Sequence, residues 1–140
     1  PLGTAGEFGM GISSPEQEAS PFRHLEAIAS RSGIQRILSM PELTTEEIVS
    51  QFQHDEVMQT AVLESARRIG TAVANVVTLL SLDCVVLGGG LIESLGSPYL
   101  NAIRSQFLED VFPAHCKQCE IKQTLLGPDA GLLGAAALAQ

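Results

Sequence analysis

Two glutamates near the start of the chain are the first candidates for binding chemistry. Glu7 lies in the glycine-rich segment 3–11, and Glu26 follows on a predicted helix, from which it could approach the same pocket. An ionised carboxylate only accepts hydrogen bonds, and its two oxygens can accept from two vicinal hydroxyl groups of a sugar. Glycines let the backbone around Glu7 approach a ligand closely. The pattern indicates a sugar ligand, although an ordinary surface acid is the commoner state of a single glutamate.

A run of three glycines, Gly88, Gly89 and Gly90, follows the apolar segment 82–87. The segment is rich in β-branched residues and predicts a buried strand. In open α/β sheets ligands bind beyond the carboxyl ends of the strands. Bare backbone N–H groups at that place could hold the ribose and phosphates of a nucleotide. Taken alone, the run fits a tight strand–helix turn better, because it is neither a Gly-x-Gly-x-x-Gly nor a P-loop motif.

The cysteines do not indicate a metal site. Cys116 and Cys119 form one Cys-x-x-Cys pair with His115 beside it, whereas structural zinc takes four ligands. The pair follows Pro113 in a predicted helix-to-strand loop, which favours free thiols. Cys84 is interpreted as a small core residue.

Helices and strands must position these candidates. Asp55 is placed to cap the longest helix, over residues 56–80, and Thr44 with Glu47 has the spacing of a capping box for a short acidic helix before it. The order helix, strand, helix, strand, helix predicts an α/β fold. The remaining elements are expected as follows: a short strand and loop within residues 1–20, a helix from Pro21 to about residue 38, a helix from Ser97 to Pro113, a strand over 120–126 and a helix over 130–140.

One buried stripe is predicted along the long helix. Its members recur at steps of three and four, the spacing of one helix face. They are Met58, Val62, Ser65, Ile69, Val73, Val76 and Leu80.

Composition narrows the classes of function. The chain has 140 residues, with 8 basic and 16 acidic side chains and a net charge of −8. This balance argues against binding to a nucleic-acid backbone, which needs clustered Lys and Arg. The sequence shows neither a secretory leader nor an apolar stretch of the ~18 residues that a spanning helix needs. An odd number of cysteines favours a reducing compartment, so we expect a cytoplasmic protein without membrane contact.

Four segments in order resemble those of the ROK family (repressor, open reading frame, kinase). Residues 3–9 (GTAGEFG) are similar to its Gly-x-x-Gly-Glu-hydrophobic-Gly segment, and residues 25–30 (LEAIAS) are similar to its Leu-Glu-x-x-Ala-Ser segment. The long helix that runs into LDCVVLGGG, residues 82–90, resembles its helix–strand–triple-glycine unit. Residues 127–136 (GPDAGLLGAA) resemble its C-terminal helix. The likeness covers essentially the whole chain.

The resemblance implies the C-terminal lobe of an actin-like, ribonuclease-H-like (ASKHA) sugar kinase, with helices packed on a small mixed sheet. Residues 1–140 would form this single lobe. The whole protein would transfer the γ-phosphoryl group of ATP with Mg²⁺ to a hexose hydroxyl, as glucokinase-like enzymes do. Glu7 and Glu26 would contact the sugar, and Gly88, Gly89 and Gly90 would line the adenosine side. The family's Asp base would lie in an N-terminal half, so the resemblance places no catalytic residue in this chain, which we expect to be inactive alone.

Departures from the family pattern bear on metal binding and on partners. Met10 stands where the family has its zinc-binding histidine, and residues 15–24 replace its cysteine cluster, so no zinc is expected. A homodimer is expected, without direct contact to nucleic acid. Two alternatives stay open: the sugar-sensing and dimerisation domain of a ROK-type transcriptional regulator, or a degenerate lobe kept for oligomerisation. In the kinase hypothesis, Glu7 and the triple glycine face one cleft shared by sugar and nucleotide.

Overall fold

The computed structural model describes residues 6–11 and 23–139, so predictions for residues 1–5, 12–22 and 140 lie outside the described residues. The helices and strands are α1 (Leu25–Ala29), α2 (Arg31–Ile37), α3 (Thr45–Phe52), α4 (Glu56–Leu80), β1 (Cys84–Leu87), α5 (Gly90–Leu95), α6 (Ser97–Asp110), β2 (Glu120–Gln123) and α7 (Ala130–Leu138). Short 3₁₀ helices occupy Phe8–Met10, Ala114–Gln118 and Gly127–Asp129. The 3₁₀ turn at Phe8–Met10 stands within the segment for which a short strand and loop were predicted.

Local capping signals define the helix starts as predicted. The Asp55 carboxylate accepts from the backbone N–H groups of Val57 (2.8 Å) and Met58 (2.9 Å), and α4 begins at the next residue, Glu56. At α3, Thr44 and Glu47 form a complete capping box. Each cap satisfies N–H groups that have no partner inside the helix. The predicted limits of α4 are therefore confirmed.

The buried stripe of α4 ends on Val77 and not on Leu80. Met58 and Val73 are 2% exposed and Val77 is fully buried, whereas Leu80 is 64% exposed. Val77 follows Val73 by four residues and thus lies on the same face. Including Leu80 in the stripe was wrong, because it belongs to the last turn, which Ser81 ends in a left-handed conformation (φ 52°).

The helix predicted from Pro21 onward is broken at Ser30 into α1 and α2. The Ser30 hydroxyl donates to the Glu26 carbonyl (2.6 Å) and accepts from the Gly33 N–H (3.1 Å). It therefore serves both the end of α1 and the start of α2. A Cβ at Gly33 would lie 2.6 Å from the Ile28 carbonyl oxygen, so glycine lets the second helix turn back tightly on the first.

The two strands run parallel, with Cys84 opposite Glu120 and Leu87 opposite Gln123. The prediction that β1 is buried was wrong: Cys84 is exposed and Val86 is 61% exposed. Only the face of Val85 and Leu87 packs on the hydrophobic core. For the same reason the core assignment of Cys84 was wrong, since its side chain shares the outward face.

The core lies mainly between α4 and α6. A Cβ at Gly70 would lie 2.6 Å from the Ile103 carbonyl oxygen, so the backbones of the two helices approach where α4 has a glycine. One apolar cluster joins these helices to α3 and α5, and a second joins them to the sheet. Within the described part of the chain, no helix has the length and apolar character needed to cross a bilayer.

Candidate functional site

The segment that carries Glu7 is tied to the start of α1. The Leu25 N–H donates to the Gly11 carbonyl (2.9 Å), and the His24 ring donates from Nδ1 to the Met10 carbonyl (2.8 Å). His24 was given no role by the sequence reasoning, since a contact to a residue 14 positions away leaves no local pattern. Its hydrogen bond fixes the turn that presents Glu7.

Gly9 brings Glu26 against the same turn. A Cβ at Gly9 would lie 3.2 Å from the Glu26 Cβ and 3.6 Å from its Oε2 atom, so a larger residue would press on the glutamate. The segments of Glu7 and Glu26 are thus neighbours, as the sequence suggested. Both residues are exposed, and within the described residues neither carboxylate has a hydrogen bond or ion pair. Both remain available to accept hydrogen bonds from a ligand.

Glu7 borders a cavity of about 320 Å³ between the N-terminal turn and α4. The cavity is also lined by Arg68, Thr71 and Asn75 from α4 and by Leu25 from α1. Arg68 donates from Nε to Glu64 (2.8 Å), which fixes its guanidinium beside the cavity. The lining therefore includes hydrogen-bond donors and acceptors in addition to Glu7.

The three glycines line a second cavity, of about 440 Å³, which we call the glycine cavity. It is also lined by the α1–α2 junction at Ala29, Ser30 and Arg31 and by Thr45 of α3. This size is within the range of about 300–1,000 Å³ typical of small-molecule sites.

The three glycines of this run differ in what an added side chain would meet. Gly89 has φ +117°, a conformation that side chains rarely adopt. At Gly89 and Gly90 an added Cβ would meet no atom within 4 Å, so the missing side chains leave open space beside the cavity. At Gly88, in contrast, a Cβ would lie 3.0 Å from the Thr124 methyl group. The open space at the last two glycines suits a ligand that lies against the backbone.

A carboxylate lies beside the turn formed by Gly88, Gly89 and Gly90, the glycine corner. The Gly89 N–H donates to Glu93 Oε1 at 3.2 Å, so one of the amides considered for phosphate binding already has an acidic partner. Glu93 was not singled out from the sequence. The available signal is its position four residues after Gly89, which places it over the first turn of α5.

The two cavities lie at opposite ends of α1. Leu25, its first residue, lines the cavity of Glu7, and Ala29, its last residue, lines the glycine cavity. At ~1.5 Å rise per residue these positions are about 6 Å apart along the helix, with Glu26 between them. The described residues thus form two adjacent cavities where one shared cleft was expected.

Tyr99, which lines the glycine cavity, forms a buried polar pair with Ser65. The hydroxyls of Tyr99 and Ser65 are 2.7 Å apart, and both residues are fully buried. Burial raises the pKa of Tyr99 to about 12, and the hydrogen bond with Ser65 offsets part of this shift. Tyr99 is therefore neutral at physiological pH, and it forms part of the cavity lining.

The cysteines are free, as predicted, and Cys116 and Cys119 are buried in the segment between α6 and β2. Burial raises the pKa of Cys119, with further contributions from Cys84 and Asp83. Across residues 6–11 and 23–139, no three His, Cys, Asp or Glu side chains converge on a position that could hold a metal ion. That the chain binds no zinc stays a prediction.

Comparison with known proteins gives consistent likenesses. The model of the ROK family matches residues 1–140. The N-acetylmannosamine kinase of Haemophilus influenzae (strain PittEE) is 33% identical over 115 residues, which cover 80% of this chain and 37% of that protein. The N-acetylmannosamine kinase of Escherichia coli O1:K1 is 34% identical over 152 residues, which cover all of this chain and 48% of that protein. The chain thus spans less than half the length of these curated relatives.

Solved structures agree in fold. The ROK hexokinase of Thermus thermophilus superposes with a TM-score of 0.79 at 28% identity, over 97% of this chain and 48% of that one. A ROK glucokinase of Streptomyces griseus, in complex with glucose and AMPPNP, gives a TM-score of 0.75 at 25% identity, over 96% of this chain and 51% of that one. The predicted α/β, actin-like fold is confirmed by these likenesses.

Proposed function

The chain belongs to the ROK family, and from this premise we propose that its protein is an ATP-dependent kinase that phosphorylates a hydroxyl group of a hexose-type sugar. Relatives named as N-acetylmannosamine kinases support a sugar substrate. The single observation that carries the proposal is the pair of adjacent cavities joined by α1. One is lined by the Glu7 carboxylate, which has no partner among the described residues, and the other has bare backbone at a strand end.

Glu7 and Glu26 are proposed as ligands of the sugar. Each carboxylate is exposed, and neither has a partner among the described residues. Two acceptors on adjacent segments can bind separate hydroxyl groups and so orient the ring. Their proposed role is to bind the substrate and not to act as the base. The relatives and their sugar suggest N-acetylmannosamine as the first substrate to test, with glucose second.

Gly88, Gly89 and Gly90 are proposed to line the nucleoside. The fit rests on the open space above Gly89 and Gly90 and on a cavity large enough for a small molecule. Bound ATP with Mg²⁺ would supply the phosphoryl group. The protein's part in such a transfer is largely to position the reactants and to stabilise charge. The described residues would contribute the first of these through the backbone of the glycine run, which lines the cavity.

The test measures ATP-dependent phosphorylation of N-acetylmannosamine and glucose by the full-length protein. Glu26→Gln is expected to raise the sugar KM about tenfold or more, because a hydrogen bond to a charged group contributes about 1.5–3 kcal/mol. Glu46→Gln, an equal charge change at an exposed residue of α3, is the control and should leave KM unchanged. An equal effect of both variants would remove Glu26 from the site.

Sugar binding without phosphoryl transfer would favour the sugar-sensing domain of a regulator instead. The homodimer expected from the resemblance is tested by light scattering on the same sample. We also propose that residues 1–140 alone transfer no phosphoryl group, since the named kinases are more than twice as long as the matched segment.

A further inference from the structure

One basic residue lies in the glycine cavity. Arg31 is the first residue of α2, is exposed, and lines the same cavity as the glycine run. The other described residues of the lining are glycine, apolar or neutral polar side chains, so among them Arg31 alone is charged. A guanidinium in such a place is available to an anionic ligand.

Most other basic residues are engaged elsewhere. Arg67 and Arg68 pair with Glu64, Lys122 pairs with Glu120, and Arg104 donates to the Ile121 carbonyl. Arg31, in contrast, has no hydrogen bond or ion pair anywhere in residues 6–11 and 23–139. The chain has twice as many acidic as basic residues, 16 against 8. An unpaired arginine in a cavity without a carboxylate among its lining residues is therefore unusual for this molecule.

The charges around the glycine cavity favour one orientation of a bound nucleotide. Glu93 is bound to the Gly89 N–H, which makes the glycine corner unfavourable for phosphate oxygens. Arg31 lines the cavity from the α1–α2 junction, and Thr45 adds a hydroxyl group to the same cavity. A nucleotide in the cavity is thus favoured with its uncharged nucleoside at the glycines and its phosphates toward Arg31.

This orientation also suits transfer to a sugar. The Ser30 hydroxyl donates to the Glu26 carbonyl, so the residue beside Arg31 contacts the one proposed to bind the sugar. Phosphates bound at Arg31 would lie beside the end of α1, whose first residue borders the cavity of Glu7.

We propose that Arg31 binds the phosphates of the nucleotide and thereby sets the orientation of ATP in the glycine cavity. The proposal rests on the proposed function and extends it by one positioning residue. A guanidinium can donate two parallel hydrogen bonds to phosphate oxygens, which a lysine ammonium cannot do with the same geometry.

The experiment compares the binding of adenosine and ADP to the full-length protein by calorimetry. In Arg31→Gln the affinity for ADP is expected to fall about tenfold or more, while the affinity for adenosine stays within about twofold, because only ADP carries the charge that Arg31 meets. Arg31→Lys keeps the positive charge without the paired donors, so its ADP affinity should fall less than that of Arg31→Gln. Lys117→Gln changes the net charge equally at an exposed residue remote from the cavity and should leave both affinities unchanged.

Two outcomes overturn the inference. Equal losses for adenosine and ADP in Arg31→Gln would make Arg31 a merely structural residue, and unchanged ADP affinity would place the phosphates elsewhere. Failure of the proposed function looks different, since the unaltered protein would then bind neither adenosine nor ADP.

Discussion

Replacing Gly90 with alanine separates the ligand-binding role of the glycine run from its structural role. Gly90 is the first residue of α5, its φ is not in the left-handed region, and an added Cβ would meet no atom within 4 Å. The folded protein can therefore accept alanine. Alanine is the better helix former, so we expect the free energy of unfolding to stay unchanged or to rise by up to ~1 kcal/mol.

The cost of this replacement should appear only when nucleotide binds. The new methyl group would project into the space proposed for the nucleoside, and overpacking by such a group typically costs about 1–3 kcal/mol. This corresponds to an increase of about 5- to 150-fold in the KM for ATP. The sugar KM should not change, because neither Glu7 nor Glu26 lines the glycine cavity.

Gly134→Ala provides the matched control. Gly134 lies inside α7, and a Cβ there would also meet no atom within 4 Å, yet it lines neither cavity. The assay records thermal unfolding and the KM for ATP and sugar for both variants. An unchanged KM for ATP in a stable Gly90→Ala protein would refute the placement of the nucleoside. A loss of stability in Gly90→Ala alone would contradict the open space on which the reasoning depends.

Other predictions concern packing, pH and the turn that holds the sugar ligands. Gly70→Ala is expected to destabilise the protein by about 1–3 kcal/mol in denaturant titration, because its Cβ would lie 2.6 Å from the Ile103 carbonyl; unchanged stability would contradict the close helix contact. The hydrogen bonds of its helix cap lower the pKa of Glu47, so its stabilising effect is present above the ordinary value of 4.5 and is lost as pH falls through the lower folded value. The Tm difference between the unaltered protein and Glu47→Gln should therefore vanish in acid, and a constant difference would speak against the cap. His24→Ala removes the hydrogen bond to the Met10 carbonyl and should raise the sugar KM several-fold, with the KM for ATP unchanged. Equal increases in both KM values would show that the substitution disturbs the whole protein and not the turn of Glu7 in particular.

Features set by neighbouring residues could be predicted from the sequence. The caps at Thr44 and Asp55 and the limits of α4 depend on contacts within three residues, so their spacing is visible in the chain. The burial of β1 could not be judged this way. An apolar run is compatible with one or two covered faces, and only the tertiary arrangement shows that Val86 is exposed.

The candidate site shows the same division. Glu7, Glu26 and the glycine run were identified from local pattern and resemblance, and the structure brings Glu26 to the turn of Glu7. Arg31 and Glu93 had no such signal, because an isolated charge on a helix is usually solvated. Arg31 lines the glycine cavity and Glu93 accepts from the Gly89 N–H beside it, and this arrangement forms only when α1, α3 and α5 come together.

The five-residue helix α1 is what relates the two halves of the proposed reaction. Its first residue borders the cavity of Glu7, and its last borders the cavity of the glycines. Ser30 holds the end of α1 and the start of α2 through one hydroxyl, so the backbone has little freedom to slide between the cavities. Since effective phosphoryl transfer depends on the separation of donor and acceptor, a short helix fixed at its end is a suitable spacer. If this is its role, Ser30→Ala should lower kcat more than it changes either KM, because the proposed ligands Glu7, Glu26 and the glycine run are unaltered and only their relative placement is loosened. Larger effects on both KM values than on kcat would show that Ser30 supports the cavities themselves.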